Sequence, residues 1–371
     1  MQFNAVIGQP TAQNILRNSV RADRMPHAQL FLGPEGSGKL ALALAFAQYA
    51  LCSNRGPEEA CGTCPSCIKA AKNIHPDVHF SFPVIGSKAT SNDFLTEWRS
   101  AIADNPYMNV NQWLRSIGAE NKQGNIGKEE CVNIIRKLSL KSFESSYKIL
   151  LLWLPEYLGK EGNRLLKLIE EPPEDTLFVL IAENQELILN TIISRCQIVK
   201  IPPLADEAVA ERLVRSEGIG EEEAQQLALL ANGNYNEARQ LAAHNENDNA
   251  LMFLDWLRKC YKGNGVELVT WVEKFASIGR ENQKHFLQYA LHFMREYLRL
   301  KLIGNQGIRL QGKELTTAQN MLKVIEYDQV EKITKLFDDC SYYVERNANP
   351  KVLFLDTSIQ IHRILRPAVV H

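Results

Sequence analysis

The stretch Gly33-Pro34-Glu35-Gly36-Ser37-Gly38-Lys39-Leu40 combines a glycine-rich turn with a lysine, the residue types that can cradle a polyanion. At a helix N-terminus, backbone N–H groups around Gly36 to Lys39 can face anionic oxygens, and Lys39 can neutralise phosphate charge. The spacing Gly33-x4-Gly38-Lys39 is that of a phosphate-binding loop, which makes Gly33, Gly36, Gly38 and Lys39 the candidate nucleotide-binding residues. The pattern then calls for Ser or Thr, whose hydroxyl reaches a magnesium ion. This chain has Leu40 there, so the loop keeps its cradle and loses a metal ligand.

A second constellation lies just downstream. Four of the eight cysteines, Cys52, Cys61, Cys64 and Cys67, fall within sixteen residues in the pattern C-x8-C-x2-C-x2-C. Thiolates two residues apart converge on one ion through a tight turn, and Gly62 and Pro65 suit such turns. Four soft sulfurs without histidine favour tetrahedral Zn²⁺ in a closed structural site. An iron–sulfur cluster and plain reduced thiols are the alternatives. His75 and His79 lie nearby, but four sulfurs already complete the shell, so both are read as non-ligands. Cys131, Cys196, Cys260 and Cys340 are scattered. The N-terminus has no apolar run flanked by basic residues, so a secreted disulfide framework is not expected and a cytoplasmic location is.

The elements that must position these residues are legible in outline. HAQLFL before the loop reads as a strand and KLALALAFAQYAL after it as a helix, the context a phosphate loop requires. YKILLLWL, LFVLIAEN and CQIVKIPPL read as further strands, and GNRLLKLIEEPPEDT as a helix stopped by Pro172 and Pro173. Strands alternating with helices predict a parallel sheet covered on both faces. Residues 68 to 125 look irregular and are read as an insertion, HPDVHFSFPVIGSKATSND as loop and LTEWRSAIADNPY as helix. GKEECVNIIRKLSLKS reads as an amphipathic helix with Val132, Ile135 and Leu138 on its apolar face. Beyond residue 204 only helices are expected: three short ones, with Gly218 and Gly233 near two of their ends, then longer ones from 249. The apolar stretch HFLQYALHFMREYLRL suits either a domain core or an interface.

At 371 residues the chain has room for two or three domains. Its 45% hydrophobic and 23% charged content is that of an ordinary globular protein. A net charge of -1 argues against a chain that coats nucleic acid by itself, and leaves contact through a local patch or through partners.

FNAVIGQP, MPHAQLFLGPEGSGK, NRLLKLIEEPP and TIISRCQIVKIPPL together resemble the bacterial clamp-loader subunits of the AAA+ superfamily over residues 1 to 245. The resemblance implies an α/β AAA+ domain carrying the zinc-binding segment (1–204), a small helical lid (205–248) and a C-terminal helical collar (249–371). It also implies what a working ATP site would hold. The strand before NRLLK should end in an Asp-Glu pair, and those positions are Leu152 and Trp153. Glu156 lies three residues further on, past Pro155. A sensor arginine belongs where GNYNEAR has Asn236, with Arg239 nearly a turn away. Losing the magnesium ligand, the acidic pair and the sensor together implies no ATP hydrolysis, with nucleotide binding left open. Ser194-Arg195-Cys196 is intact, and in the family that arginine reaches into a neighbour's ATP site, where a finger supplied in trans stabilises the transferring phosphoryl group. Cys196 is read as a buried apolar residue.

The function so implied is a non-hydrolysing clamp-loader subunit of the DNA polymerase III holoenzyme, partnered by delta and gamma/tau type subunits in a five-membered ring. It would act on the sliding clamp and primed DNA through that complex, and no membrane is involved. The rival is an active AAA+ ATPase, either a clamp-loader motor subunit or a helicase loader. A free-standing zinc-dependent DNA-binding module fits the near-neutral charge poorly.

Overall fold

The apolar runs marked as buried strands form the middle of one sheet. In the computed structural model, which describes all residues except 120–121, 244–245, 305–307, 309, 311, 323 and 367–371, five strands pair throughout in parallel. They are β1 (Ala28–Leu32), β2 (Val78–Ser81), β3 (Lys148–Trp153), β4 (Thr176–Ala182) and β5 (Gln197–Lys200), in the order β2-β3-β4-β1-β5. β3 and β4 are buried along their whole length, as continuous apolar strands covered on both faces must be.

Helices α1 (Pro10–Arg21), α2 (Lys39–Leu51), α3 (Pro65–Ala71), α4 (Leu95–Asp104), α5 (Val110–Ser116), α6 (Lys128–Leu138), α7 (Leu166–Glu170) and α8 (Asn190–Ile193) surround this sheet. On one face Leu30, Leu150, Leu152, Phe178 and Leu180 pack with Ile134, Leu138, Ile169 and Ile192. On the other, Phe31 meets Phe46 of α2 at 6.2 Å between ring centroids. Helix α2 has no polar face, and every one of its residues is buried. Helix α7 ends at Glu170 because Glu171 precedes a proline and leaves the helical region (φ -124°, ψ 70°).

Two expectations need correcting. The stretch read as an irregular insertion is part of the sheet: Val78–Ser81 is its edge strand, paired to β3 from Ile149 to Leu152. A four-residue edge strand containing His and Ser carries too little apolar signal to be read. The chain beyond β2 supplies an aromatic cluster, in which Trp98 of α4 stacks on Phe82 (4.1 Å) and meets Trp113 of α5 and Trp153 of β3 at 5.1 Å each. On α6 the apolar face is Cys131, Ile134 and Leu138, with Ile135 at its margin; Val132 points outward and is 47% exposed.

Beyond the sheet come α9 (Asp206–Glu217), α10 (Glu221–Leu230) and α11 (Tyr235–Ala243). The expected tail of the last of these, at 244–245, lies outside the described residues. Gly218 caps α9 in the left-handed conformation (φ 70°). Among the described residues, the chain divides into two compact units, Met1–Arg239 and Gln240–His371, the second all-helical. The second unit has its own core, centred on Phe253, Trp256, Trp271, Phe275, Phe286 and Phe354. Most apolar residues of HFLQYALHFMREYLRL, including Phe286, Phe293 and Tyr297, are buried in that core, which settles their use within the unit.

The aromatic cluster is the sheet's seam with α4 and α5. Trp98→Ala should cost about 3–5 kcal/mol in urea unfolding of the chain; a loss under about 1 kcal/mol would mean that the cluster is not a packing centre.

Candidate functional site

The phosphate-type loop leaves β1 and enters α2, and its turn depends on two glycines with positive φ, Gly36 (67°) and Gly38 (87°). The Gly33 N–H donates to the Ala182 carbonyl at 3.2 Å, tying the loop to β4. The polar groups of the loop are taken up by the chain itself. Gln9 Nε2 donates to the Ser37 carbonyl (3.1 Å) and the Pro202 carbonyl (2.7 Å). The Tyr235 N–H donates to the Gly36 carbonyl at 3.2 Å. Glu35 Oε1 accepts from Asn109 Nδ2 (3.1 Å) and Asn234 Nδ2 (3.4 Å). Asn234 is so close that a Cβ on Gly36 would lie 1.7 Å from its Oδ1.

Lys39 is buried, with its Nζ donating to the Pro34 carbonyl at 2.5 Å and paired to Glu183 at 3.6 Å. Glu183 is the first residue past β4. Burial pushes its carboxyl up to about 7, and the Lys39 ammonium pulls the other way. Burial lowers Lys39 in turn, against its attraction to Glu183, Glu156 and Glu35. Glu156 comes back toward the loop because Leu154 turns the chain in the left-handed region (φ 57°), a costly conformation for a leucine. Its Oε1 accepts the N–H groups of Glu183 (2.5 Å) and Asn184 (2.8 Å). Sequence reasoning passed over Glu183 and Glu35 as parts of the site. The available signal was position alone: one ends a strand beside the loop, and the other lies inside it.

The positions at which the family resemblance implies polar groups hold packed side chains. Leu40 and Leu152 are buried, and Trp153 sits in the aromatic cluster. Asn236 is fully buried and accepts from Asn105 Nδ2 at 2.7 Å. Arg239 is committed elsewhere, to Glu217 (3.2 Å) and Asp104 (3.5 Å).

Arg195 lies two residues past α8. Its Nε donates to Glu170 Oε1 at 2.7 Å, Nη2 also reaches Glu170, and Nη1 donates to the Thr191 carbonyl at 2.6 Å. The next residue, Cys196, has its thiol pushed up to about 11 by burial, so it stays protonated at neutral pH.

The four clustered cysteines converge. The Sγ atoms of Cys52, Cys61, Cys64 and Cys67 all lie within 4.8 Å of one another, and a tetrahedral Zn–S₄ centre needs about 3.8 Å between sulfurs. Cys52 caps the C-terminus of α2, and Cys64 the N-terminus of α3. Backbone N–H groups point at the sulfurs: Cys61 to Cys52 Sγ (3.3 Å), Cys64 to Cys61 Sγ (3.3 Å) and Cys67 to Cys64 Sγ (3.4 Å). Such donors favour thiolate, so the donor set fits a bound cation. His75 stands outside the set, its Nδ1 accepting the Asp77 N–H at 3.1 Å and its Nε2 facing Ser66 Oγ (3.0 Å) and Ser145 Oγ (3.2 Å). The Asp77 carboxylate accepts the N–H groups of Phe143 (2.5 Å), Glu144 (2.9 Å) and Ser145 (2.9 Å). The cysteine module is thereby linked to the loop before β3. Burial lowers His79 to about 4.

A family model described as DNA polymerase III, delta subunit, matches residues 8–205. The chain belongs to that family. It is 30% identical over 239 residues to DNA polymerase III subunit delta′ of Bacillus subtilis (strain 168), covering 64% of this chain and 60% of that protein. It is 27% identical over 213 residues to subunit tau of the same organism, covering 57% of this chain and 31% of that one. The chain therefore spans less than two thirds of the length of these relatives. Among solved structures, a gamma subunit-related protein of Thermotoga maritima aligns over 95% of this chain and 99% of its own, at 14% identity and a TM-score of 0.41.

Within this polymerase III delta-type chain, the matched segment holds the loop, the four cysteines and Arg195, and stops before Asn236 and Arg239. No helix of the described residues is long and apolar enough to cross a membrane.

Because the folded-state pKa of Glu183 is raised, the folded chain binds more protons there than the unfolded chain between about pH 4.5 and 7. This group's contribution to stability therefore falls as pH rises through that window. Glu183→Gln should flatten that part of the profile in unfolding measured from pH 4.5 to 8, and an unchanged slope would show that Glu183 stays ionised throughout. Elemental analysis should find about one zinc per chain, with chelation lowering the melting temperature of the first unit; iron, or no metal, would overturn the zinc assignment.

Proposed function

We propose that this chain is a clamp-loader subunit of the DNA polymerase III holoenzyme that does not hydrolyse ATP and helps to load the sliding clamp onto primed DNA. Its partners would be delta and gamma/tau type subunits in a pentameric ring in the cytoplasm. The family match supports the assignment to this machinery. The pairing of Lys39 bears on nucleotide binding. Its ammonium is engaged by Pro34 and Glu183, so a phosphate would have to compete with a carboxylate already in place.

The observation that carries the non-hydrolysing part is the burial of Leu40, Leu152 and Trp153, because none can hold magnesium or polarise water. An active AAA+ ATPase, whether a motor subunit or a helicase loader, would need those groups. The partly exposed Arg195 would serve a neighbouring subunit's ATP site in trans, stabilising charge on the γ-phosphoryl group. Cys52, Cys61, Cys64 and Cys67 would hold a structural Zn²⁺ that staples α2 to α3. The chain would divide into a phosphate-loop domain (1–204), a helical lid (205–248) and a collar (249–371).

Reconstitution with gamma/tau and delta type partners tests this reading. The isolated chain should show no ATP turnover. Arg195→Ala should leave assembly intact while cutting the ATPase rate of the complex by about 10³-fold at the site it serves. Turnover by the isolated chain that disappears in Lys39→Ala would defeat the proposal, as would full activity of an assembled Arg195→Ala complex.

A further inference from the structure

The geometry points to Glu170 as the positioning residue for Arg195, an inference that rests on the trans role proposed above. Glu170 is the last residue of α7, and its backbone is set by the exit into Glu171, Pro172 and Pro173. Arg195 comes from a different element, just past α8. The guanidinium meets Glu170 side-on, with Nε (2.7 Å) and Nη2 both on Oε1. This is the edge nearest the side-chain stem. Nη1 is held only by neutral acceptors, the Thr191 carbonyl at 2.6 Å and Ser194 Oγ at 3.3 Å.

The two ends of the guanidinium are therefore held differently. The charge-assisted contact to Glu170 anchors the stem side. The Nη1 end is the one that a phosphoryl group on a neighbour could take over without breaking an ion pair. Both side chains are about a third or more exposed (32% and 43%), so the pair adds little to stability and its use lies in orientation. A long arginine side chain that is already ordered gives up less rotamer freedom on reaching a partner than one that swings freely. Catalysis in trans depends on such placement. The carboxylate of Glu170 touches neither nucleotide nor metal in this scheme, and acts only through Arg195.

The test compares Glu170→Ala, Glu170→Gln and Arg195→Ala in the reconstituted complex, with assembly checked by size-exclusion chromatography. Glu170→Ala should lower kcat of the complex's ATPase about three- to tenfold with KM unchanged, as expected for ordering one flexible side chain. Glu170→Gln keeps the acceptor oxygen and should recover part of that loss. If Arg195→Ala slows the complex while Glu170→Ala matches or exceeds wild type, the positioning role is overturned and the trans role stands. If Arg195→Ala itself has no effect on an intact complex, the trans reading fails and the positioning role falls with it. A Glu170→Ala complex changed in KM alone would also overturn the inference.

Discussion

A buried ammonium has to be neutralised, and how Lys39 meets that requirement governs the arrangement around the loop. A ligand phosphate would be one way to do it. Here the protein supplies the partners itself, through the Pro34 carbonyl and the Glu183 carboxylate. Glu183 in turn sits beside Glu156, and two carboxyls near one ammonium cannot all be charged at little cost. Burial accordingly holds both carboxyls above their ordinary range. Glu156 relieves part of its own desolvation by accepting two backbone N–H groups, and the left-handed turn at Leu154 is what brings it there. The glycines obey the same logic, since Gly36 must lack a side chain for Asn234 to approach.

The hydrophobic core takes up the neighbouring positions. At the end of β3, Leu152 joins the apolar layer beneath α6 and α7, while Trp153 joins Trp98 on the opposite side. Successive strand residues point to opposite faces, so the two positions entered two different clusters. Asn236 closes on Asn105, and Arg239 is drawn to acidic side chains. Leu152, Trp153 and Arg239 each find local partners, whereas Asn236 pairs through Oδ1 alone and its buried Nδ2 has no hydrogen-bond partner among the described residues.

The cysteine module works at the other end of α2. Its sulfurs gather at a helix C-terminus and a helix N-terminus, and Ser66, between two of the cysteines, donates its hydroxyl to the Leu51 carbonyl and faces His75 Nε2 with its Oγ. From there Asp77 grips three consecutive amides of the loop that carries Phe143, whose side chain is 80% exposed. A buried polar network of this kind holds only if every member is paired, so the cysteines and that loop form one structural unit.

The sequence by itself determined the central sheet, the loop and helix that come after β1, the cysteine quartet and the Ser194-Arg195-Cys196 turn. Each is carried by a local signal: a continuous apolar run, glycine and proline at fixed spacing, or ligand residues close in the chain. Leu40, Leu152, Trp153 and Asn236 could be singled out only against the pattern that the family resemblance implies. Only the tertiary structure decided what the charged and polar groups around the loop touch. The Lys39–Glu183 pair spans 144 residues of chain (183 − 39), and the Arg195–Glu170 contact joins the ends of two helices. Edge strand β2 was invisible because four residues with a histidine and a serine become a strand only through their pairing with β3. The outward turn of Val132 likewise depends on which side of α6 meets the sheet. Local patterning specifies elements, whereas electrostatic partners and packing faces are set by contacts between residues distant in the chain, which no short window of sequence contains.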